Sequence, residues 1–448
     1  MTRRVQDHST DEGASSPPGM RTFVIIWIGQ VISILGSSLT NFGLGVWIYQ
    51  QTGEAMPFAL TVLFGSLPQV FLLPVAGSLA DRWNRRWLMI LSDTGNALAT
   101  LAIVLLLYTN SLQIWHIYLI SVMGSAFGAF QQPAYQASIT VLVPKKHLAR
   151  ANGMVQSAGA LGGILTPLLA GFLFVAIGLG GIVLVDFITY FFAISALLIV
   201  RIPQPKAERP AERRKSTVLS DVRFAWAFLR ERPGLLGLLF YYAAVNFFLS
   251  SVFVLSGPLV LSRHPASVFG IVQMVLGIAS LAGGVLASAW GGPKRRMVRA
   301  AIGGIALYML GIMLAGLRVH PAFPAIGLAV NVFLISLVQS VSNAIWQSKV
   351  APEVQGRVFS LRYMLATVIT PLAYLTAGPL ADRVFEPLMR EGGALAVTVV
   401  GSLLEAGPGR GIGLMYLLSG VAVILISGLA YLYPRIRRLE EEVPDAIV

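Results

Sequence analysis

Apolar residues in this 448-residue chain are grouped into long blocks, and short polar or Pro/Gly-rich breaks separate one block from the next. A block of about 20 apolar residues is long enough to cross a bilayer as a helix. The pattern predicts twelve membrane spans, at 21–49, 57–80, 87–108, 113–142, 151–177, 180–200, 234–262, 266–290, 297–316, 322–348, 358–382 and 411–433. The first block is longer than the core of a cleavable signal peptide, so we expect the first span to stay in the protein.

The predicted spans fall into two sets of six, separated by a polar segment that contains RIPQPKAERPAERRKS. A stretch so rich in Pro and charge favours a linker over a packed core. The predicted units are a tail at 1–20, a six-helix bundle at 21–200, a linker at 201–232, a second bundle at 233–433 and a tail at 434–448. TPLLAG in span 5 recurs as TPLAYL in span 11, which suggests duplication. The predicted fold class is an all-α membrane protein of two pseudo-symmetric six-helix bundles.

Charge is distributed unevenly between the two sides of the predicted bundle. The formal net charge is +13, yet of the 33 Lys and Arg residues only five fall in segments on the side opposite the N-terminus. This is the positive-inside pattern, and it predicts that both termini are cytoplasmic. Because the basic residues are scattered over membrane-flanking segments, we expect no nucleic-acid binding. The chain has no cysteine, which excludes thiolate metal sites, and we expect no metal or cofactor.

Uncharged polar side chains form stripes on spans 1, 4, 7 and 10, the first span of each successive group of three. Their spacing of mostly three or four residues puts each stripe on one helical face. The stripe residues are Gln30, Ser33, Ser37 and Asn41, then Gln132 and Gln136, then Tyr242, Asn246 and Ser250, and finally Gln339, Asn343 and Gln347. Polar groups are unfavourable in hydrocarbon, so we favour a shared substrate cavity; hydrogen bonding between helices is the alternative.

Two carboxylates fall well inside the predicted spans, Asp186 in span 6 and Asp93 in span 3. An intramembrane carboxylate is a candidate for carrying a proton or binding a cation. For Asp93, a structural pair with Arg85 eight residues earlier is an open alternative. Arg362, about one turn into predicted span 11, is expected to extend to the membrane surface.

Motifs of soluble and intramembrane enzymes are missing from the chain. No G-x-x-x-x-G-K-[ST], H-E-x-x-H or G-x-S-x-G sequence occurs, so neither nucleotide hydrolysis nor a hydrolase site is indicated. We therefore expect that the protein is not an enzyme. A channel is disfavoured because the spans form two six-helix halves and supply no ring of charged residues.

Two motifs carry a resemblance to a known family. The loop after span 2 resembles the G-x-x-x-D-R-x-x-R-R signature of the major facilitator superfamily, through Gly77, Asp81, Arg82, Arg85 and Arg86. Span 5 is similar to the superfamily's drug-antiporter motif G-x-x-x-G-P-x-x-G-G, through Gly162, Gly163, Thr166, Pro167, Ala170 and Gly171. Thr166 and Ala170 stand where that motif has glycine.

Three further segments resemble the macrolide-efflux type of bacterial exporter: GSSLTNFGLGVWIYQQTG at 36–53, ARANGMVQS at 149–157 and GPLADRVFEPLM at 378–389. The resemblance implies alternating-access export of drugs or natural products, driven by proton antiport, from a bacterial inner membrane. We expect a monomer whose substrates are amphipathic and neutral or cationic. A siderophore or lysophospholipid cargo is an alternative, and a transport-inactive receptor or assembly partner is another.

The resemblance also bears on individual residues. It implies that Asp81 contacts the start of span 11, near Gly356 and Arg357, in the outward-facing state. Many exporters of the superfamily carry an arginine in span 4 that is tied to proton coupling, but this span has none. That absence gives Asp186 more weight as the proton carrier, with Asp93 as the second candidate.

Overall fold

The computed structural model describes residues 19–144, 147–200, 202, 218–293 and 295–446, without the side chains of 73–75, 77, 78, 80–82, 218 and 219. Within these ranges the regular structure is helical. The long helices are α1 (Met20–Thr52), α2 (Ala55–Arg82), α3 (Arg85–Tyr108), α4 (Ile114–Leu142), α5 (Leu148–Ile199), α6 (Val218–Arg230), α7 (Pro233–Leu261), α8 (Ala266–Trp290), α9 (Met297–Leu317), α10 (Ala322–Lys349) and α11 (Pro352–Leu380). After a π-helical turn at Ala381–Phe385 follow α12 (Glu386–Met389), α13 (Val399–Leu404), α14 (Arg410–Leu432), α15 (Pro434–Arg437) and α16 (Leu439–Glu442).

Ten helices of the described chain are long and apolar enough to cross a membrane. One of them, α5, has 52 residues and contains a non-helical residue, Gly178, with φ 65° and ψ −176°. Helix α4 is less apolar than these ten, because glutamines interrupt it, but it has 29 residues and packs against α2 and α3. With α5 counted as two spans and α4 as one, the helices are consistent with the predicted twelve.

Helix α5 reverses direction at Gly178 and so has two arms. In α1, Gly29 lies against Ala196 and Gly43 lies against Leu179, so the second arm runs antiparallel to α1. A positive φ is readily adopted by glycine, which explains how one residue can make this turn. Both arms pack in the same half of the molecule as α1.

Local signals fix several helix ends. Gly53, with φ 65°, ends α1, and the Asn84 side chain accepts hydrogen bonds from the backbone N–H groups of Arg86 and Trp87 at the start of α3. Helix α11 begins at Pro352, six residues before the predicted start of span 11. Proline is favoured in the first turn of a helix because it has no N–H to satisfy there.

The bundle has two sides, which we name by the chain ends. We call the side on which α1 begins and α14 ends the terminal side. Helix α7 also begins there, because Gly234 at its start lies against Arg435 of α15, which follows α14. Lys349 anchors the chain's C-terminal segment on this side: its Nζ lies 3.0 Å from the carbonyl oxygen of Glu440 and from Asp445 Oδ1. We call the other side the opposite side.

The segment predicted as a linker contains a helix that the sequence did not suggest. Helix α6 has 13 residues and buries Ala225 and Leu229 fully. It contacts α11, where Arg357 Nε lies 3.0 Å from Asp221 Oδ1. The polar composition of the first half of this segment hides the amphipathic pattern of its second half.

The two halves of the molecule contact each other closely along α5 and α8. A Cβ on Gly171 would lie 2.7 Å from the carbonyl oxygen of Ala266, and one on Gly277 would lie 2.8 Å from that of Gly163. A Cβ on Gly270 would overlap the carbonyl oxygen of Pro167. The helices therefore meet backbone to backbone, as small residues permit in membranes.

A second contact between the halves joins α2 to the end of α11 on the opposite side. The Asp382 carboxylate accepts hydrogen bonds from the N–H groups of Ala55 and Met56, at 2.8 and 2.7 Å. It thereby caps the N-terminus of α2, where a negative charge is favourable. A Cβ on Gly378 would lie 2.6 Å from the Cα of Met56, so the backbones are close here too.

We expect Gly270→Ala to lower the free energy of unfolding by about 1–3 kcal/mol, because the new methyl group overlaps the Pro167 carbonyl. Gly163→Ala is the matched control, since a Cβ there meets no atom within 4 Å. The control is expected to be neutral or stabilising, because alanine favours the helix over glycine. Thermal unfolding of the purified variants in detergent measures both, and equal midpoints would contradict the close contact.

Candidate functional site

Asp93 lies in a buried cluster with two glutamines. Its carboxylate accepts a hydrogen bond from Gln30 Nε2 at 3.0 Å and another from Gln131 Nε2. Gln131 Nε2 also lies 2.9 Å from Gln30 Oε1, which ties α1, α3 and α4 together. Asp93 is completely buried and Gln30 is 2% exposed.

Asp186 lies in a second cluster further along α1. Its carboxylate accepts from Ser37 Oγ at 3.3 Å and from Thr100 Oγ1 at 3.4 Å. Ser37 Oγ is also 2.9 Å from the hydroxyl oxygen of Tyr190, one turn after Asp186. Asp186 is 1% exposed, so this carboxylate is also enclosed by protein.

Both carboxylates have neutral partners, and no ion pair to either of them occurs in the described ranges. The suggested pair of Arg85 and Asp93 is therefore wrong: Arg85 Nη1 donates to the Ala137 carbonyl at 2.9 Å, while two glutamines bind Asp93. An ionised carboxylate without a cation is costly in a low-dielectric interior. Each site is thus suited to take up a proton or a positive group.

Two adjoining cavities lie in the N-terminal half. A polar one of about 290 Å³ is lined by Ser37, Asn41 and Asp186, among others. A largely apolar one of about 480 Å³ extends between α1, α4 and the first arm of α5. Ile34 and Ser38 line both cavities, so the carboxylate cluster adjoins an apolar space large enough for part of a drug-sized molecule.

The antiporter-like motif has two faces. Gly162, Gly163, Thr166 and Pro167 line the apolar cavity, while Gly171 packs against α8. The motif therefore contributes both to a cavity wall and to the contact between the halves.

A third cavity, of about 610 Å³, lies in the C-terminal half between α7, α10 and α11. Its polar lining residues include Tyr242, Asn246, Gln339, Asn343, Gln347 and Arg362. The stripe of span 10 and the first two residues of the span 7 stripe thus line one cavity, whereas Gln30 and Asn41 line cavities of the other half. In span 4, Gln132 Oε1 accepts from Gln69 Nε2 at 3.1 Å, and Gln136 is exposed.

The expectation that Arg362 extends to the membrane surface is wrong. Its guanidinium donates to Asn343 Oδ1 at 3.2 Å and to Ser342 Oγ at 3.0 Å, and it lines the C-terminal cavity. The reason is the early start of α11 at Pro352, which places Arg362 almost three turns inside the helix.

The loop signature is described only in part. Arg86 Nε and Nη2 donate to the carbonyl oxygens of Leu197 and Leu198, at 2.6 and 2.7 Å, and so satisfy the last turn of α5. The side chains of Gly77, Asp81 and Arg82 lie outside the described residues, so the contact predicted for Asp81 stays a prediction. Its predicted partner Arg357 pairs with Asp221 in this conformation.

Sequence reasoning did not identify Thr100, Gln131 and Tyr190 as parts of the two carboxylate clusters. Thr100 donates to Asp186 and Gln131 donates to Asp93. Tyr190 is hydrogen-bonded to Ser37, which donates to Asp186. A signal existed for Tyr190, because four residues separate it from Asp186 on one helical face. Thr100 and Gln131 belong to other helices than the carboxylates they bind. Spacing along one helix cannot reveal such a partner.

The sequence profile of the Major Facilitator Superfamily matches residues 26–374. The chain belongs to this superfamily. It is thus a multi-pass membrane transporter and not an enzyme, as the sequence predicted, and the all-α fold of two helical halves is confirmed.

Several known proteins resemble this member of the superfamily. Macrolide efflux protein A of Streptococcus pyogenes is 27% identical over 369 residues, which is 81% of this chain and 90% of that protein. The multidrug efflux pump Tap of Mycolicibacterium fortuitum is 24% identical over 371 residues, 80% and 89% of the two chains. A bacterial homologue of the human lysosomal transporter Spinster, solved inward-facing and unoccupied, superimposes with a TM-score of 0.65 at 16% identity, covering 95% of this chain and 98% of that one.

We expect Gln30→Leu and Asp93→Leu to be energetically coupled, because each substitution removes the hydrogen bond between these residues and leaves the buried polar group of the other one without that partner. A double-mutant cycle on thermal unfolding in detergent should give a coupling energy of about 1–3 kcal/mol. The pair Gln69→Leu and Gln132→Leu is the control, because its hydrogen bond is exposed and should couple more weakly. Additive effects at Gln30 and Asp93 would contradict the buried cluster.

Proposed function

We propose that this transporter exports amphipathic drugs or natural products, macrolides among them, in exchange for protons. The observation that carries the proposal is the position of Asp186, which lines a polar cavity. Its hydrogen-bond partners among the described residues are neutral. Ile34 and Ser38 line both this cavity and the apolar one, so the two cavities adjoin. A proton and a cationic substrate would compete for this environment, since either one compensates the buried negative charge. The efflux relatives support the same direction of transport.

The mechanism is alternating access between two conformations. If the termini are cytoplasmic, the contacts of α5 with α8 and of Asp382 with α2 close the outer part of the bundle, and the protein is inward-facing. Export then requires these contacts to part while the halves close on the terminal side. The Asp81 contact with the start of α11 is the interaction that would form on closure.

Asp186 is the principal proton carrier in this mechanism and Asp93 a second one. The protein is a monomer in a bacterial plasma membrane, with two six-helix bundles at 21–200 and 233–433 that move as units. A siderophore or lysophospholipid cargo would use the same cavities. A receptor without transport activity is the alternative from a different class.

We expect Asp186→Asn to reduce macrolide uptake into inverted vesicles under an imposed pH gradient by at least tenfold, because the amide takes up no proton. Exchange of labelled for unlabelled macrolide at equal pH should persist, since exchange needs no net proton movement. Glu441→Gln in the exposed C-terminal segment is the control.

Undiminished gradient-driven uptake by Asp186→Asn would contradict its role as carrier. If the unaltered protein takes up no macrolide, siderophore or lysophospholipid, the receptor alternative is favoured.

We expect Asp81→Asn to slow net transport several-fold while leaving substrate affinity unchanged, because the contact it removes forms on the terminal side, away from the cavities. Equilibrium binding in detergent and initial rates in vesicles separate the two effects. A normal rate would reduce the loop signature to a determinant of membrane orientation.

A further inference from the structure

Arg362 lies within helix α11, ten residues after the start of the helix at Pro352, which corresponds to about 15 Å of helix at 1.5 Å per residue. Arg357, which pairs with Asp221 of α6, lies five residues nearer to that start. The Arg362 side chain contacts α10 and lines the cavity between α7, α10 and α11. Its guanidinium is therefore accommodated by groups of the protein.

The partners of this arginine are neutral. Asn343 and Ser342 accept two of the five N–H bonds of the guanidinium, which also lies 5.9 and 5.4 Å from the ring centroids of Tyr242 and Trp346. No carboxylate forms an ion pair with Arg362 in the part of the chain that the structure describes. Its positive charge is therefore uncompensated by the protein residues described around it.

The remaining donors border an accessible space. Arg362 lines the 610 Å³ cavity together with Asn246, Gln339 and Gln347, and both glutamines are exposed on the cavity wall. The other half of the molecule has the reverse charge, with Asp93 and Asp186 buried among neutral groups. The N-terminal half thus holds two buried carboxylates, and the cavity of the C-terminal half holds a positive group.

We propose that the C-terminal cavity is a subsite for a carboxylate group of the transported substrate, with Arg362 as its cationic anchor. The planar guanidinium matches a carboxylate, and the amides of Asn246, Gln339 and Gln347 supply further hydrogen bonds. The inference rests on the proposed export function and narrows its substrates: amphipathic zwitterions are preferred, with the cationic group toward the N-terminal half.

Two dyes that differ only in the carboxylate test this subsite. Rhodamine B is a zwitterion at neutral pH, and rhodamine B ethyl ester is the same amphipathic cation without the carboxylate. Fluorescence anisotropy with the purified full-length protein in detergent measures binding of each. We expect the unaltered protein to bind rhodamine B about tenfold more tightly, the effect of one charge-assisted hydrogen bond.

Two substitutions remove this preference by different routes. Arg362→Gln deletes the charge, and Asn343→Asp keeps the arginine but places a carboxylate where Arg362 Nη1 already has a partner at 3.2 Å. In both variants the affinity for rhodamine B relative to the ester should fall about tenfold, so that the preference for rhodamine B is lost. Arg318→Gln is the control, because this arginine pairs with Glu405 on the opposite side and should leave the preference intact.

The outcomes separate the subsite from the proposed export function. Equal affinity for the two dyes in the unaltered protein, or a preference that survives in a folded Arg362→Gln or Asn343→Asp, overturns the subsite. If Arg362 serves only to join α10 to α11, both variants lose affinity for the two dyes equally, which also overturns it. Gradient-driven uptake of the ester without a preference for rhodamine B leaves the export function standing, whereas failure to bind or take up either dye contradicts both.

Discussion

The backbones of α5 and α8 touch because the residues between them are glycines. The carbonyl oxygens of Gly163 and Pro167 occupy the space that side chains at Gly277 and Gly270 would fill. Since water does not compete for contacts within hydrocarbon, close packing of this kind is what holds helices together there. The contact joins the halves from the middle of the bundle toward the opposite side.

Hydrocarbon imposes a second condition, because each buried polar group must find a partner within the protein. In the N-terminal half this condition is met by neutral groups around two carboxylates, so Gln30 and Ser37 are engaged with Asp93 and Asp186. In the C-terminal half, Gln339 and Gln347 are exposed on the cavity wall. The two halves, although similar in plan, therefore differ in chemistry: the N-terminal half buries the carboxylates Asp93 and Asp186, and the cavity of the C-terminal half presents amides and a cation.

The physical properties of the membrane determine which features of the fold could be predicted from the sequence. Span positions and polar stripes are predictable because the bilayer fixes helix length and penalises polar groups. The early start of α11 was missed because the polar stretch PEVQGR precedes the apolar run. The position of Arg362 within the helix was therefore missed as well. Helix α6 was missed because a polar stretch precedes it, and the partners of Asp93 and Asp186 because they come from other helices.

The turn at Gly178 joins the two arms of α5 without a loop, and each arm has a different role. The first arm of α5 carries the surface that touches α8, and the second arm carries Asp186 eight residues after the turn. A longer connection would let one arm move while the other stayed in place. With a single residue between them, we expect a displacement of the first arm to move the second arm, and Asp186 with it. In the proposed alternating access, separation of the halves would therefore change the surroundings of Asp186.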